Sequence, residues 1–354
     1  MAAFWTEPDF DDHELVTFVH DRASGLTALI ALHSTHLGPG AGGTRCWHYP
    51  DPAMGIRDAL RLSRGMSYKN AMAGLPMGGG KGVILTGPGR KLTPAMLVAY
   101  GDAIHGLGGR YITAEDVGMT EADMAAIARR TPYVTGLPSE DPDAAGGNPG
   151  PVTAKGVYLG IKAGVRHRLG REDMEGVHVA IQGVGSVGGG VARLLAADGA
   201  RLTLADIDEA RAGLLAAELG AEQVAADAIM DVACDVLSPN ALGAILDDAS
   251  IPRLRASLVA GGANNQLARP EHGAMLAARG VLFAPDYVIN AGGIITVTLE
   301  YLGRTSGEPC SVAAVHAKLE EIPGRLQMIW DEADSSGHTP DQVADAMAQR
   351  LIGR

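Results

Sequence analysis

The sequence predicts an α/β protein of two domains, and three observations carry that expectation. From Thr153 onward, helical and strand-like segments alternate, the pattern of a parallel sheet covered by helices. A stretch from Gly136 to Gly150, rich in Pro, Gly, Ser and Asp, separates that pattern from everything before it. At 354 residues the chain is too long for one ordinary core. The expected boundaries are 1–135 for a first α/β domain, 136–150 for a linker and 151–325 for a second domain. Helices in 326–354 are expected to return to the first domain.

Composition narrows the function. Apolar residues make up 46% of the chain, enough for two cores, and 48 glycines suit many tight strand–helix turns. A formal charge of −12 speaks against nucleic acid or an anionic membrane as partner. Cys46, Cys234 and Cys310 stand far apart, so no disulfide framework is expected, and a reducing cytoplasm is the expected compartment. The N-terminus is acidic (Glu7, Asp9, Asp11, Asp12, Glu14), with no signal peptide pattern and no membrane-spanning run. His33 and His36, three apart in an extended segment, face opposite sides, so no metal site is expected.

In the first half, Leu26 to Leu32 reads as a strand after the Ser24-Gly25 turn. Gly38-Pro-Gly-Ala-Gly-Gly43, with Ala41 and Gly42 inside it, reads as a loop able to approach a ligand. Ile56, Ala59, Leu60, Ser63 and Met66 keep helical spacing, which carries Lys69 and Asn70 to the end of that helix. Leu75-Pro-Met-Gly-Gly-Gly-Lys-Gly-Val-Ile84 reads as a glycine-rich loop at a strand mouth. Lys81 among those glycines has little room to move, and desolvation lowers a lysine's pKa. The alternative is an exposed lysine on a turn. Tyr111 to Met119 is a short strand running into Glu115 and Asp116. Asp116 is either the N-cap of a helix over 120–130 or a carboxylate aimed into a cleft. Lys69 either caps the carbonyls of its helix or meets a ligand. Two lysines and a carboxylate would suit a small anionic substrate with one proton to move.

In the second half, a helix is expected from about Thr153 to Arg168 and a buried strand over 177–181. Gly183-Val-Gly-Ser-Val-Gly188 follows at once and opens a helix to about Ala197. Leu202 to Asp206 is the next strand, ending in an acid 18 residues after Gly188. This is the dinucleotide-binding fingerprint in its required setting. Phosphate sits on the free N–H groups of the helix N-terminus, including those of Ser186 and Val187. Asp206 can accept from the ribose hydroxyls, which favours NAD over NADP; Arg211 nearby leaves NADP open. Strand-like runs at 232–237, 256–260 and 282–285 lead to loops holding Asn240, Ala263, Asn264 and Asn290. Ligands bind outside the carboxyl ends of such strands, although an asparagine there is also a common turn residue. The tail is helical from Ser311, with Thr339-Pro340-Asp341 opening its last helix.

These residues resemble the glutamate, leucine, phenylalanine and valine dehydrogenases over nearly the whole chain. The resemblance lies in Gly38 to Arg45, Leu62 to Lys69, Leu75 to Lys81, Thr113 to Gly118, the nucleotide fingerprint, Gly262 to Leu267 and Ala284 to Gly293. The pattern is most similar to the leucine and phenylalanine branch. It implies a substrate-binding and oligomerisation domain followed by a Rossmann-type domain. It also implies reversible NAD-dependent oxidative deamination of an L-amino acid to a 2-oxo acid and ammonia, domain closure around the substrate, and homo-oligomers.

By the same resemblance, Lys69 holds the substrate carboxylate, Lys81 is the catalytic lysine that activates water, and Asp116 exchanges protons with the amino nitrogen. Asn264 lies close to the substrate carboxylate, Asn290 near the reacting centre, and Thr153 beside the nicotinamide. Gly183, Gly185, Ser186, Val187, Gly188, Asp206, Asn240 and Ala263 complete the cofactor set. Gly42, Ala41, Met66, Ala114, Ile294 and Val297 line the substrate pocket. No lysine stands at Ala41 or Ala114 to meet a second carboxylate, which argues against glutamate. Ala114 with Ile294 looks like the leucine-type pair. Ala41 is smaller than leucine enzymes carry, so an aromatic substrate of the phenylalanine type is the alternative, unless Met66 or Trp47 fills the space. A dinucleotide-binding sensor without catalysis is the alternative from another class. An amine dehydrogenase is disfavoured, because Lys69 and Asn264 are both present.

Overall fold

The computed structural model describes residues 4–89, 91–137, 145, 149–308 and 310–354. Most of the expected linker, 138–144 and 146–148, lies outside the described residues. The chain forms two compact units. One comprises Met1–Gly147, Ile294–Val315 and Ala348–Arg354; the other comprises Asn148–Gly293 and His316–Met347.

The first unit contains β1 (Leu15–Asp21), β2 (Leu26–Ser34), β3 (Gly40–Trp47), α1 (Pro52–Met72), β4 (Gly78–Leu85), α2 (Pro94–Gly106), β5 (Tyr111–Glu115) and α3 (Glu121–Ala128). Its sheet runs β1-β2-β4-β3-β5, with β4 at the centre. β2 is antiparallel to β1 and β4, whereas β3 is parallel to β4 and β5. Side chains alternate across the pleat. Leu26, Ala28, Ile30, Leu32 and Ile84 pack with Met96, Tyr100 and Ile104 of α2 and with Met124 and Ile127 of α3. Leu29, Ala31 and Val83 face the other way, onto Ala59 of α1.

Two glycine-rich stretches expected as loops are strands instead. Gly40 to Gly43 opens β3, and Gly78 to Gly82 forms most of β4. The reason is steric. A Cβ built on Gly79 would lie 2.2 Å from the backbone nitrogen of Ser67, so the α1 backbone rests directly on the strand. A Cβ on Gly82 would lie 2.0 Å from the Tyr100 hydroxyl on the opposite face.

The second unit begins with α4 (Gly150–Leu169), β6 (His178–Gln182), α5 (Ser186–Ala197), β7 (Arg201–Ala205), α6 (Glu209–Leu219) and β8 (Glu222–Gln223). It continues with β9 (Val236–Pro239), β10 (Leu258–Val259), α7 (Glu271–Ala278), β11 (Leu282–Phe283) and α8 (Asp286–Ile289). The strand expected over 232–237 starts later, because Ile229–Asp231 form a 3-10 turn first. The sheet order is β11-β10-β9-β6-β7-β8, all parallel. Counted from β6 outward, this is the doubly wound nucleotide-binding order, whose switch point lies between β6 and β9.

Four helices follow: α9 (Gly292–Ser306), α10 (Val312–Leu319), α11 (Ile322–Ser336) and α12 (Pro340–Leu351). The tail expected on the first domain returns there only in part. α11 buries Ile322, Leu326, Ile329 and Trp330 within the second unit, and Trp330 Nε1 donates to the Phe283 carbonyl at 3.0 Å. Within 326–354 only Ala348–Arg354 belongs to the first unit, which also takes Ile294–Val315 from further up the chain. No helix among the described residues is long and apolar enough to cross a membrane.

Candidate active site

Alternation along β3 and β4 assigns the candidate side chains to one face. Thr44 and Gly82 point to Tyr100, with Thr44 Oγ1 bonded to its hydroxyl at 2.8 Å. Arg45 and Lys81, their neighbours, therefore point the other way, towards α1. Lys81 is only 6% exposed. Its Nζ donates to Asp116 Oδ2 at 2.5 Å. Asp116 follows β5 in a turn whose Val117 carbonyl accepts from the Cys46 N–H at 2.9 Å. It is not the cap of α3: Thr120 is, in a capping box with Asp123. The Asp116 carboxylate instead receives Lys81 and, at 3.3 Å, Arg45 Nε.

Burial pushes the Asp116 carboxyl up, but Lys81 and Arg45 outweigh it and hold its pKa below the ordinary value. Burial pulls the Lys81 ammonium below the ordinary lysine range, against the opposing pull of Asp116.

Lys69 lies half-buried in the last turn of α1. A Cβ on Gly42 would lie 2.9 Å from Met66 Cγ, so Met66 of α1 packs on that glycine. Ala41 is buried and paired with Gly79 and Ile112; Ala114 is buried and paired with Gly43. Asn70 Nδ2 bridges the Ala41 and Gly78 carbonyls at 3.3 and 2.6 Å, fixing the strand that carries Ala41. Trp47, at the end of β3, is 51% exposed. Ile294 and Val297 are half-buried on α9. The Val297 carbonyl accepts from Thr135 Oγ1 at 2.5 Å, and Thr135 N–H bonds the Thr113 carbonyl beside Ala114.

In the second unit, Gly183 has φ +82° and makes the turn out of β6. A Cβ on Gly188 would lie 1.9 Å from the Gly183 carbonyl, so α5 packs directly on that turn. A Cβ on Gly185, the N-cap of α5, would meet nothing within 4 Å, and no side chain caps the helix. Open space before uncapped N–H groups at Ser186 and Val187 fits a pyrophosphate. Asp206 Oδ2 accepts from Val184 N–H at 2.8 Å and Oδ1 from Asp208 N–H at 2.9 Å. Its carboxylate is thereby tied to the fingerprint turn. The Arg211 guanidinium pairs with Asp208 at 3.1 Å and lies 4.0 Å from Asp206.

An asparagine network spans the carboxyl ends of β9 and β10 and the end of α8. Asn240 Oδ1 accepts from Gly262 N–H at 2.9 Å, and Asn240 Nδ2 donates to Ser238. Asn290 Nδ2 donates to the Gly262 carbonyl at 3.2 Å and to Asn264 Oδ1 at 2.9 Å. Val187 and Asn240 both approach Gly262, and Ala263 N–H bonds the Pro239 carbonyl at 2.9 Å. Thr153, in the first turn of α4, lies against Gly292 and Gly293.

Sequence reasoning missed the surroundings of Asp116. Arg45 Nη1 donates to Asp58 Oδ2 at 2.8 Å, and Asp58 also accepts from the Tyr49 hydroxyl at 2.7 Å and Arg61 at 3.0 Å. The available signal was position: had Gly40 to Trp47 been read as a strand, Arg45 would have fallen on a defined face.

Comparison with known proteins agrees with this layout. Residues 13–133 match the model of the Glu/Leu/Phe/Val dehydrogenase dimerisation domain, and 201–351 match that of the Glutamate/Leucine/Phenylalanine/Valine dehydrogenase family. The chain is 45% identical to a leucine dehydrogenase of Geobacillus stearothermophilus, over 96% of this chain and 91% of that protein. It is 48% identical to a leucine dehydrogenase of Bacillus cereus, with the same two coverages. Among solved structures, L-tryptophan dehydrogenase from Nostoc punctiforme superposes with a TM-score of 0.84 at 39% identity, covering 96% of both chains.

Proposed function

The chain belongs to the Glu/Leu/Phe/Val dehydrogenase family, and we propose that it carries out the reversible NAD-dependent oxidative deamination of an apolar, branched-chain L-amino acid. The observation that carries the reading is the buried Lys81–Asp116 pair, in a chain whose second unit has a fingerprint turn with room for a dinucleotide at Gly185. NAD supplies the hydride acceptor when bound.

The remaining chemistry falls to the chain's own residues. Lys69 and Asn264 are assigned to the substrate carboxylate, with a charge-assisted hydrogen bond from the lysine. Asp116 accepts a proton from the amino group. Lys81, drawn below its ordinary pKa by burial, takes the proton of a water as that water attacks the imine carbon, and its ammonium then faces the developing oxygen charge. Asn290 Nδ2 donates to Asn264 Oδ1, which fixes the orientation of the Asn264 amide. Gly183, Gly185, Ser186, Val187 and Gly188 are assigned to the pyrophosphate, Asp206 to the ribose and Thr153 to the nicotinamide; Asn240 and Ala263 complete the cofactor set.

The leucine dehydrogenase relatives support a branched-chain substrate. Apolar Ala41, Met66, Ala114, Ile294 and Val297 suit one, and no charge among them suits glutamate. The small Ala41, with the likeness to an L-tryptophan dehydrogenase, favours an aromatic substrate as second reading. The match to a dimerisation domain supports self-association through the first unit, and three free cysteines suit a reducing cytoplasm. The test is kcat/KM for leucine, valine, isoleucine, phenylalanine, tryptophan and glutamate with NAD and NADP, read as nicotinamide reduction. Leucine-type substrates with NAD should lead. Silence across the apolar panel would leave a non-catalytic dinucleotide sensor in place of the enzyme.

A further inference from the structure

We propose that Arg45 and Asp58 are positioning residues for the reacting pair: Asp58 aims Arg45, and Arg45 anchors the Asp116 carboxylate beside Lys81. The proposal rests on the reading of Lys81 and Asp116 as the reacting groups.

Asp116 Oδ2 accepts from donors on two neighbouring strands, Lys81 Nζ of β4 at 2.5 Å and Arg45 Nε of β3 at 3.3 Å. Arg45 divides its fork between two carboxylates, with Nη1 given to Asp58 of α1 at 2.8 Å. Asp58 is fixed in turn: the Tyr49 hydroxyl shares its Oδ2 at 2.7 Å, and Arg61 Nη2 takes its Oδ1 at 3.0 Å. Arg45, Asp58 and Asp116 side chains are 23%, 19% and 22% exposed, so their charges are only partly screened.

This arrangement answers a problem set by the chemistry. Lys81 must release its proton during turnover, and Asp116 would then lose its cationic partner in a largely buried place. A guanidinium keeps its charge at every working pH. Arg45 thus leaves Asp116 with a donor and a counter-charge whatever the state of Lys81. Two fixed donors also fix where the carboxylate points, which matters for a proton transfer made at hydrogen-bond distance. Asp58 tempers the cation: Arg45 acts to lower the Lys81 pKa and Asp58 to raise it. The charged groups facing Asp116 are therefore Lys81 from β4 and Arg45 from β3, with Asp58 and Arg61 of α1 behind Arg45.

The test is the pH dependence of kcat/KM for deamination in Arg45→Gln, Arg45→Lys and Asp58→Asn, with melting temperature and NAD affinity measured alongside. The acid limb reports the coupled pair rather than either residue. Arg45→Gln should move that limb up by about one pH unit and cut kcat by about tenfold or more. Arg45→Lys should return the limb close to its original place but recover kcat only in part, because an ammonium cannot span both carboxylates. Asp58→Asn should move the limb down. NAD affinity should hold in all three. Limbs that stay in place in all three variants, with turnover falling only as stability falls, would reduce the network to a structural role. If Arg45→Gln does not fold, Asp58→Asn decides by the direction of its shift, since its amide oxygen still accepts from Arg45. An active Lys81→Ala enzyme would remove the underlying reading; an inactive one with unmoved limbs removes this proposal alone.

Discussion

Lys81 and Asp116 are 35 positions apart and meet across β3, which lies between the centre of β4 and the end of β5, where Gly43 leaves room for the Asp116 side chain. Lys81→Ala should lower kcat by about 10²–10⁴-fold with the fold intact, which single-turnover kinetics and circular dichroism together would check. Near-normal turnover would remove Lys81 from the mechanism. Lys69→Ala should instead raise KM for the amino acid, by about 10–100-fold if the carboxylate bond is charge-assisted, with KM for NAD unchanged. Burial holds Lys81 below the lysine value of 10.5. With the neutral amine as the proposed base, deamination should rise with pH and level off before 10.5 is reached. Asn290→Ala should remove the donor to Asn264 Oδ1 and raise the amino-acid KM without touching NAD affinity. Lys69, Lys81 and Asp116 stood out as candidates in the sequence because their residue types name a chemistry. Arg45 and Asp58 were not, because an arginine and an aspartate 13 positions apart carry no signal until strand and helix are superposed.

Elements explain where sequence reading went astray. Gly38 to Gly43 and Gly78 to Gly82 have the composition of loops, yet most of them are paired in the sheet. Glycine there serves close packing rather than turning: the α1 backbone and the Tyr100 hydroxyl occupy the space a Cβ would need. Gly79→Ala should cost about 1–3 kcal/mol of stability or more, since backbone cannot step aside as a side-chain tip can. Chemical denaturation would read this, and a variant as stable as the parent would show that α1 shifts easily. The fingerprint turn was read correctly because its glycines do the opposite, leaving space at Gly185 and removing it at Gly188. Gly188→Ala should therefore weaken NAD binding together with the packing of α5 on β6, seen as a higher NAD Kd by calorimetry.

At the scale of the whole molecule, the two units were legible from the change of pattern near residue 150, and the path of the tail was not. Amphipathic helices say that they pack, not on what. α11 went to the second unit through Trp330, while Ala348–Arg354 went to the first. There Arg354 donates to the Asp11, Asp12 and His33 carbonyls at 2.7, 2.8 and 3.0 Å and approaches His33 Nε2 at 2.8 Å. Burial, then the Arg354 charge, push His33 from 6.5 down to about 4. A histidine whose folded pKa is depressed contributes its full stability above 6.5, where both states are neutral. That contribution shrinks as pH falls from 6.5 towards 4, because only the unfolded chain takes up the proton. The loss over that window is about 3 kcal/mol. Arg354→Ala removes one depressing charge and should narrow the window, so its melting temperature should fall less steeply between pH 6.5 and 4 than the parent's. It should also be lower than the parent's at pH 8, where the lost carbonyl bonds, the contact with His33 Nε2 and the ion pair with Asp11 at 3.8 Å count. Parallel acid profiles for the two proteins would show that Arg354 holds the N-terminal segment without governing His33.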